Sequence, residues 1–183
     1  MKNKTTGPVS DFAPLRDEGS RITVCYGLQQ PETVGGLASW YEVYLYKRKH
    51  ATISFADVKQ AILADINART TEKIVSGLVW TSADGEQIPV WLSVEQQLNF
   101  MAAYTRATQT GGANLPVTFK MGEDAEGLPV YHTFATMTEA EDFYQHATDY
   151  IHSLQSAGWG EKDAIDWQPY EALFPAGDNT GNQ

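Results

Sequence analysis

Residues 54–107 read as a helix, a short hairpin and a second helix, and this succession constrains the fold more than any other feature of the chain. The first run, SFADVKQAILADINARTTEKIVSG, places Val58, Ala61, Ile62, Asp65, Ile66 and Arg69 on one face at spacings of three and four. Its apolar members therefore form one packing stripe, which resumes at Ile74. Ser54 opens the helix as N-cap, with Asp57 at the reciprocal position of a capping box. Gly77 is placed to close it in a left-handed conformation. Asn67 and the Thr70-Thr71 pair weaken the middle, where a kink or break is allowed. Residues 78–82 and 87–92 read as strands around Ala83-Asp84-Gly85, with Trp80 and Trp91 on the two arms of a hairpin. Ser93 then caps a helix with Gln96 in the box position. Its expected core face is Val94, Leu98, Met101, Ala102 and Thr105, flanked by Phe100 and Tyr104.

A second hairpin is expected from residues 115–121 and 128–135 around the turn at 122–127. Thr136 or Thr138 caps a last helix, with Glu139 or Glu141 completing the box. Phe143, Ala147, Tyr150, Ile151 and Leu154 form its apolar stripe, and Gly158 is expected to end it. Trp167, Tyr170, Leu173 and Phe174 give the following segment reason to pack back on the body, leaving 175–183 as a disordered tail.

Upstream, residues 21–28 and 39–49 read as strands on either side of a turn at 31–36. Alternation puts Trp40, Glu42, Tyr44 and Tyr46 on one face of the second strand and Tyr41, Val43, Leu45 and Lys47 on the other. With aromatic or apolar groups on both faces, this strand is either covered on both sides or a surface for a partner. Residues 1–20, with Gly7, Pro8, Pro14 and Gly19, read as a flexible arm whose Val9, Phe12 and Leu15 could anchor it on a partner. The expected plan is an arm at 1–20, a β-hairpin segment at 21–53, an α+β domain at 54–174 and a tail. The fold class is α+β, with short antiparallel strands and hairpins packed with about three helices.

Charge narrows the partners. Lys plus Arg number 13 against 23 Asp plus Glu, a formal charge of −10, which disfavours phosphate backbones and hence nucleic acid. The basic run Lys47-Arg48-Lys49-His50 is short, and reads as a strand end that blocks edge pairing or as a patch for an acidic neighbour. No stretch of about 18 apolar residues occurs, so no membrane helix is expected. The lysines of the N-terminus precede no apolar run, so a secretory signal is not expected either.

Chemistry is poorly represented. The single cysteine, Cys25, lies in a strand-like run and reads as a buried, inert thiol. The four histidines, His50, His132, His146 and His152, fall in no metal-ligand spacing. The acidic turn Glu123, Asp124 and Glu126 lacks a calcium-loop pattern. Gly35-Gly36 and Gly111-Gly112 lack the remainder of a phosphate loop, and no nucleophile elbow surrounds a serine. Glu139, Glu141 and Asp142 are explained by negative charge in a first helical turn. The expectation is a protein with no catalytic residues, metal or cofactor. A small-ligand pocket of Tyr131, His132 and the tryptophans is the less favoured reading.

Several segments taken in order carry a family resemblance. They are V-x-x-A-I-L-A-D-I-N-A at 58–68, K-I-x-S-G-x-V-W at 73–80 and V-W-L-S-x-E-x-Q-x-N-F-x-A-A-Y at 90–104. L-P-V-T-F-K at 115–120, P-V-Y-H-T-F at 129–134 and F-Y-x-x-A at 143–147 follow. Together they resemble a domain of unknown function that recurs in tail, fibre and baseplate-region proteins of tailed bacteriophages. W-Y-E-V-Y-L-Y-K-R-K-H at 40–50 is similar to the lead-in of versions from Bacteroidales phages and prophages. The resemblance implies a structural or assembly role in the virion through contacts with other phage proteins, within a homo-oligomer or multiprotein assembly. A tail or fibre assembly chaperone is the alternative. No catalytic residue is implied. The candidate partner-binding residues are Phe12, Leu15, Trp40, Tyr41, Tyr44, Tyr46, Lys47 and Arg48, as apolar and basic groups able to anchor such contacts.

Overall fold

The computed structural model describes residues 4–33, 35–47 and 52–174. Its strands and helices, in chain order, are β1 (Lys4–Gly7), β2 (Leu15–Asp17), β3 (Arg21–Gln29), β4 (Ala38–Tyr46), α1 (Phe55–Val75), β5 (Leu78–Thr81) and β6 (Gln87–Val90). They continue with α2 (Val94–Thr110), β7 (Val117–Glu123), β8 (Pro129–Phe134), α3 (Met137–Asp163) and α4 (Gln168–Glu171). Short antiparallel strands with helices make this an α+β protein, as the sequence implies. Two compact units are present, one of Met1–Arg69 with Gly158–Gln183 and one of Thr70–Ala157. The divisions thus fall within α1 and α3, and not at the expected 20/21 and 53/54 boundaries.

The first unit is built on one antiparallel sheet of order β1-β4-β3-β2. Ile22 pairs Leu45, Val24 pairs Val43 and Tyr26 pairs Tyr41, so these six side chains share a face. That face packs against Val58, Ile62 and Ile66 of α1, with Tyr170 of α4 buried beside them. The spacing of three buried side chains at i, i+4 and i+8 is the stripe read from sequence. Each fully buried aliphatic side chain contributes roughly 1.5–3 kcal/mol. The Tyr170 hydroxyl donates to the Cys25 carbonyl at 2.7 Å, which ties the C-terminal segment to the sheet. Ile165, Trp167 and Phe174 pack around the same core, whereas Leu173 is exposed.

Residues 1–20 are not a free arm over their described part. Lys4–Gly7 pairs with β4, and Leu15–Asp17 pairs with β3, which supplies backbone partners that composition does not reveal. Phe12 lies over the second face of the sheet, edge-on to Trp40 at 6.0 Å, and that face buries Cys25, Ala38 and Trp40.

In the second unit, β5-β6 and β7-β8 are hairpins, and the Trp91 amide donates to the Met121 carbonyl at 2.8 Å to join them. The backbones approach too closely for a side chain at Gly77. A Cβ there would lie 1.8 Å from the Val90 oxygen, and its φ is +85°. Trp80, Ile88, Val90, Leu92, Phe100, Met121, Phe134 and Phe143 make the core. Phe100 meets Phe143 edge-on at 4.9 Å and Phe119 at 5.1 Å, the arrangement favoured by ring quadrupoles. The stripe of α3 begins at Ala140, Phe143 and Ala147 and continues through Tyr150, Ile151 and Leu154. The Tyr150 hydroxyl donates to the Gly77 carbonyl at 2.8 Å.

The helix starts follow the sequence closely. The Ser54 amide donates to Asp57 Oδ2 at 2.8 Å, and the Asp57 amide donates to Ser54 Oγ at 3.3 Å, a complete capping box. Ser93 Oγ accepts from the Gln96 amide, but the Gln96 side chain donates to the Lys120 carbonyl, so that box is half made. Thr136, not Thr138, caps α3. Two features depart from expectation. α1 runs unbroken through Asn67 and Thr70-Thr71, and α3 passes Gly158 to Asp163. A glycine in a helix costs only about 1 kcal/mol. The last turn of α3 is held by Glu161 on Arg69 and by Lys162 Nζ on Asn67 Oδ1 at 2.6 Å.

The largest correction concerns α2. Its buried residues are Phe100 and Ala107, with Gln96, Gln97, Ala103 and Tyr104 half-buried. The expected core stripe of Val94, Leu98 and Met101 faces solvent instead. The two stripes interleave on one helix, and the inner one wins because Phe100 and Tyr104 bury more area than the aliphatic set.

Candidate interaction surfaces

The most concentrated polar group is buried in the first unit. Asp65 and Arg69 stand one turn apart on the packing stripe of α1, where the helix turns toward the sheet. Arg69 Nε donates to Asp65 Oδ2 at 3.2 Å, and Arg69 Nη2 donates to the Tyr26 hydroxyl at 2.9 Å. Tyr26 in turn donates to Asp65 Oδ2 at 2.6 Å, and Arg69 Nη2 also reaches Glu161. The guanidinium lies 3.8 Å from the centroid of Tyr41. Asp65 is 1% exposed and Arg69 11%, so the cation compensates a carboxylate removed from water. Burial, and then the Asp65 carboxylate, push the Tyr26 hydroxyl well above the usual phenol range, which keeps it a donor. Planar stacking and forked donors suit arginine here, where lysine could not replace it. This network fixes a helix to a sheet. Its hydrogen-bonded partners lie up to 92 positions apart in the chain.

The outward face of β4 is largely committed to contacts within the unit. Trp40 is buried, and its Nε1 donates to Glu42 Oε1 at 3.0 Å, while Arg16 Nη2 donates to the same oxygen at 2.6 Å. Arg21 covers the Tyr44 ring at 4.4 Å and donates to Glu18 at 2.6 Å. Lys47 Nζ lies 2.6 Å from Asp17 Oδ2. Hydrogen bonding from Lys47 holds the Asp17 carboxyl below its ordinary range, and bonding from Arg21 does the same for Glu18. Among the candidate partner-binding residues, Phe12, Leu15, Trp40 and Tyr41 therefore pack inside the unit, because each meets apolar partners on a sheet face. Tyr46 is 70% exposed, and with half-buried Tyr44 and exposed Lys47 it makes the part of this strand open to a partner. Arg48 lies outside the described residues. Cys25 is buried and its thiol is pushed up to about 11 by desolvation, so it is not poised as a nucleophile.

The second unit presents an apolar face that the sequence reading assigned to the core. Val94 is 68% exposed, Leu98 54% and Met101 45%, at spacings of four and three on α2. Trp91, three residues earlier, is 37% exposed with Lys120 Nζ 4.9 Å from its ring centroid. Thr105 continues the row and Ala102 borders it, and all are exposed. An ungapped apolar row at spacings of four and three is the seam that helices use to pack on helices. The missed signal was the second row, 96, 100, 103 and 107, which shares the helix and carries its aromatic anchor.

His132 packs between aromatic groups and an acid. Its Nε2 lies 2.9 Å from Glu139 Oε1, and its ring meets Trp80 edge-on at 5.2 Å. Glu139 Oε2 accepts from the Ala135 amide, so both its oxygens serve the β8–α3 junction. Trp80 Nε1 donates to Asp142 Oδ2 at 3.0 Å. Tyr131 points away from this group and is exposed. An apolar crevice lies beside the core, lined by Phe100, Tyr104, Leu115, Phe119 and Tyr144 among others. Among the described residues, no three His, Cys, Asp or Glu side chains converge to hold a metal ion, and no helix is long and apolar enough to cross a membrane.

No curated protein and no solved structure matches the chain. A family model described as a domain of unknown function, DUF4376, matches residues 57–178, a span running from the first turn of α1 past α4. That span takes in nearly all of α1, all of α2 and α3, both hairpins of the second unit and the exposed row of α2, and the chain belongs to this family.

Proposed function

We propose that the protein is a non-enzymatic structural component of a bacteriophage tail region, at the tail, fibre attachment, baseplate or collar, acting through protein–protein contacts. The observation that carries the contact role is the solvent-facing row Val94, Leu98 and Met101 on α2, an apolar helix face left without a partner among the described residues. The most buried charged side chains are spent on internal pairs, such as Arg69 with Asp65 and Arg16 with Glu42. The assignment to a phage tail is supported by the resemblance of residues 40–167 to modules of phage tail, fibre and baseplate proteins. Mass spectrometry of purified particles from the source phage or induced prophage tests it. Stoichiometric presence is expected. Presence in the lysate with absence from particles would replace this reading with an assembly chaperone.

A further inference from the structure

We infer that the apolar row of α2 is covered by the same row of a second copy of this chain, the two helices running antiparallel about a twofold axis. The inference rests on the protein-contact reading above and names the partner of that face.

Three features of α2 select this occupant. The first is spacing. Val94, Leu98, Met101 and Thr105 repeat at four and three along α2, with Trp91 just before its cap, the seam along which one helix packs on another. The second is charge. In a chain of net charge −10 two copies repel, so a self-contacting face must itself be near neutral. The row holds no charged residue, and the charges that α2 itself places beside it are Glu95 near its start and Arg106 near its end, while Lys120, against Trp91, is paired with Glu123. Glu95 and Arg106 are exposed, and neither makes an ion pair among the described residues. The third is geometry. Glu95 and Arg106 are separated by eleven positions, close to three helical turns, and so lie on one flank of the row. The other flank, Gln97, Tyr104 and Thr108, carries no charge. Antiparallel pairing brings like flanks together, so Glu95 of each copy meets Arg106 of the other, twice. Parallel pairing would set the charged flank against the uncharged one and lose both pairs. Antiparallel alignment also opposes the two helix dipoles favourably.

The face is a single row on one helix, below the ~800 Å² per partner of a standard interface, so a micromolar or weaker dimer is expected. In an assembly of many copies such a contact is strengthened by effective concentration.

Analytical ultracentrifugation of the full chain from micromolar to millimolar concentration tests the inference. A monomer–dimer equilibrium is expected, and L98E should abolish it while circular dichroism stays unchanged, because Leu98 is exposed. E95R and R106E should each loosen the dimer roughly three- to tenfold, by turning two attractions into repulsions, and E95R/R106E should restore it. A monomer at every concentration overturns the inference. So does a dimer that survives L98E, or one indifferent to the charge exchanges. If L98E removes the protein from particles without changing its sedimentation, the face belongs to another virion protein, and the inference fails while the tail reading stands.

Discussion

Replacing Arg69 with methionine should destabilise the first unit more than any other substitution of a charged side chain. Methionine keeps most of the aliphatic volume and removes the cation. Asp65, 1% exposed, then loses the cation one turn along the helix, and the stack on Tyr41 and the bond to Tyr26 are lost. Breaking a buried pair by removing one partner costs about 3–5 kcal/mol. The contact with Glu161 adds little to this, since that carboxylate is 32% exposed and such pairs contribute about 0–1 kcal/mol. The Asp65→Leu/Arg69→Met double variant removes both charges and should recover to within about 1–2 kcal/mol of the parent. Urea unfolding followed by tryptophan fluorescence and far-UV circular dichroism measures both changes. A cost for Arg69→Met under about 1 kcal/mol, or a double variant no better than the single, would refute the argument that charge compensation holds α1 on the sheet.

Three further expectations follow from the fold. Gly77→Ala should cost more than about 2 kcal/mol in thermal unfolding, since its φ of +85° and the Val90 oxygen at 1.8 Å leave no place for a methyl group. Trp40→Ala should cost about 3–5 kcal/mol and Tyr46→Ala less than about 0.5 kcal/mol, because one ring is buried and the other open to solvent. Asp57→Ala should cost up to about 1 kcal/mol at neutral pH through loss of the Ser54 box. The Ser54 amide, and then its hydroxyl, hold the Asp57 carboxyl below its ordinary range. Its contribution is therefore full above the unfolded carboxylate pKa, about 4. It fades as the pH falls through the lower folded value, so unfolding curves of variant and parent should converge in acid.

Local chemistry was legible where it is decided locally. The Ser54–Asp57 box, the hairpin turn at Gly85 and the stripe of Val58, Ile62 and Ile66 are each written within a few residues. What was not legible depends on distant partners. The strands Lys4–Gly7 and Leu15–Asp17 exist because β4 and β3 offer edges, and nothing in their own composition says so. α3 outlasts Gly158 because Arg69 and Asn67 hold its end. On α2 two periodic rows compete, and hydropathy favours the aliphatic one, whereas the core accepts the one bearing Phe100. The exposed face was thus visible in the sequence as a pattern but assigned to the wrong side. Four of the candidate partner-binding residues were aromatic or apolar groups whose burial only the sheet explains.

The central claim is that this protein works as a part of a phage particle through its surfaces. Quantitative mass spectrometry of purified particles tests it most directly. The account predicts the chain in a fixed copy number per particle, alongside tail-region proteins. Its absence from particles while it accumulates in the lysate would contradict the account.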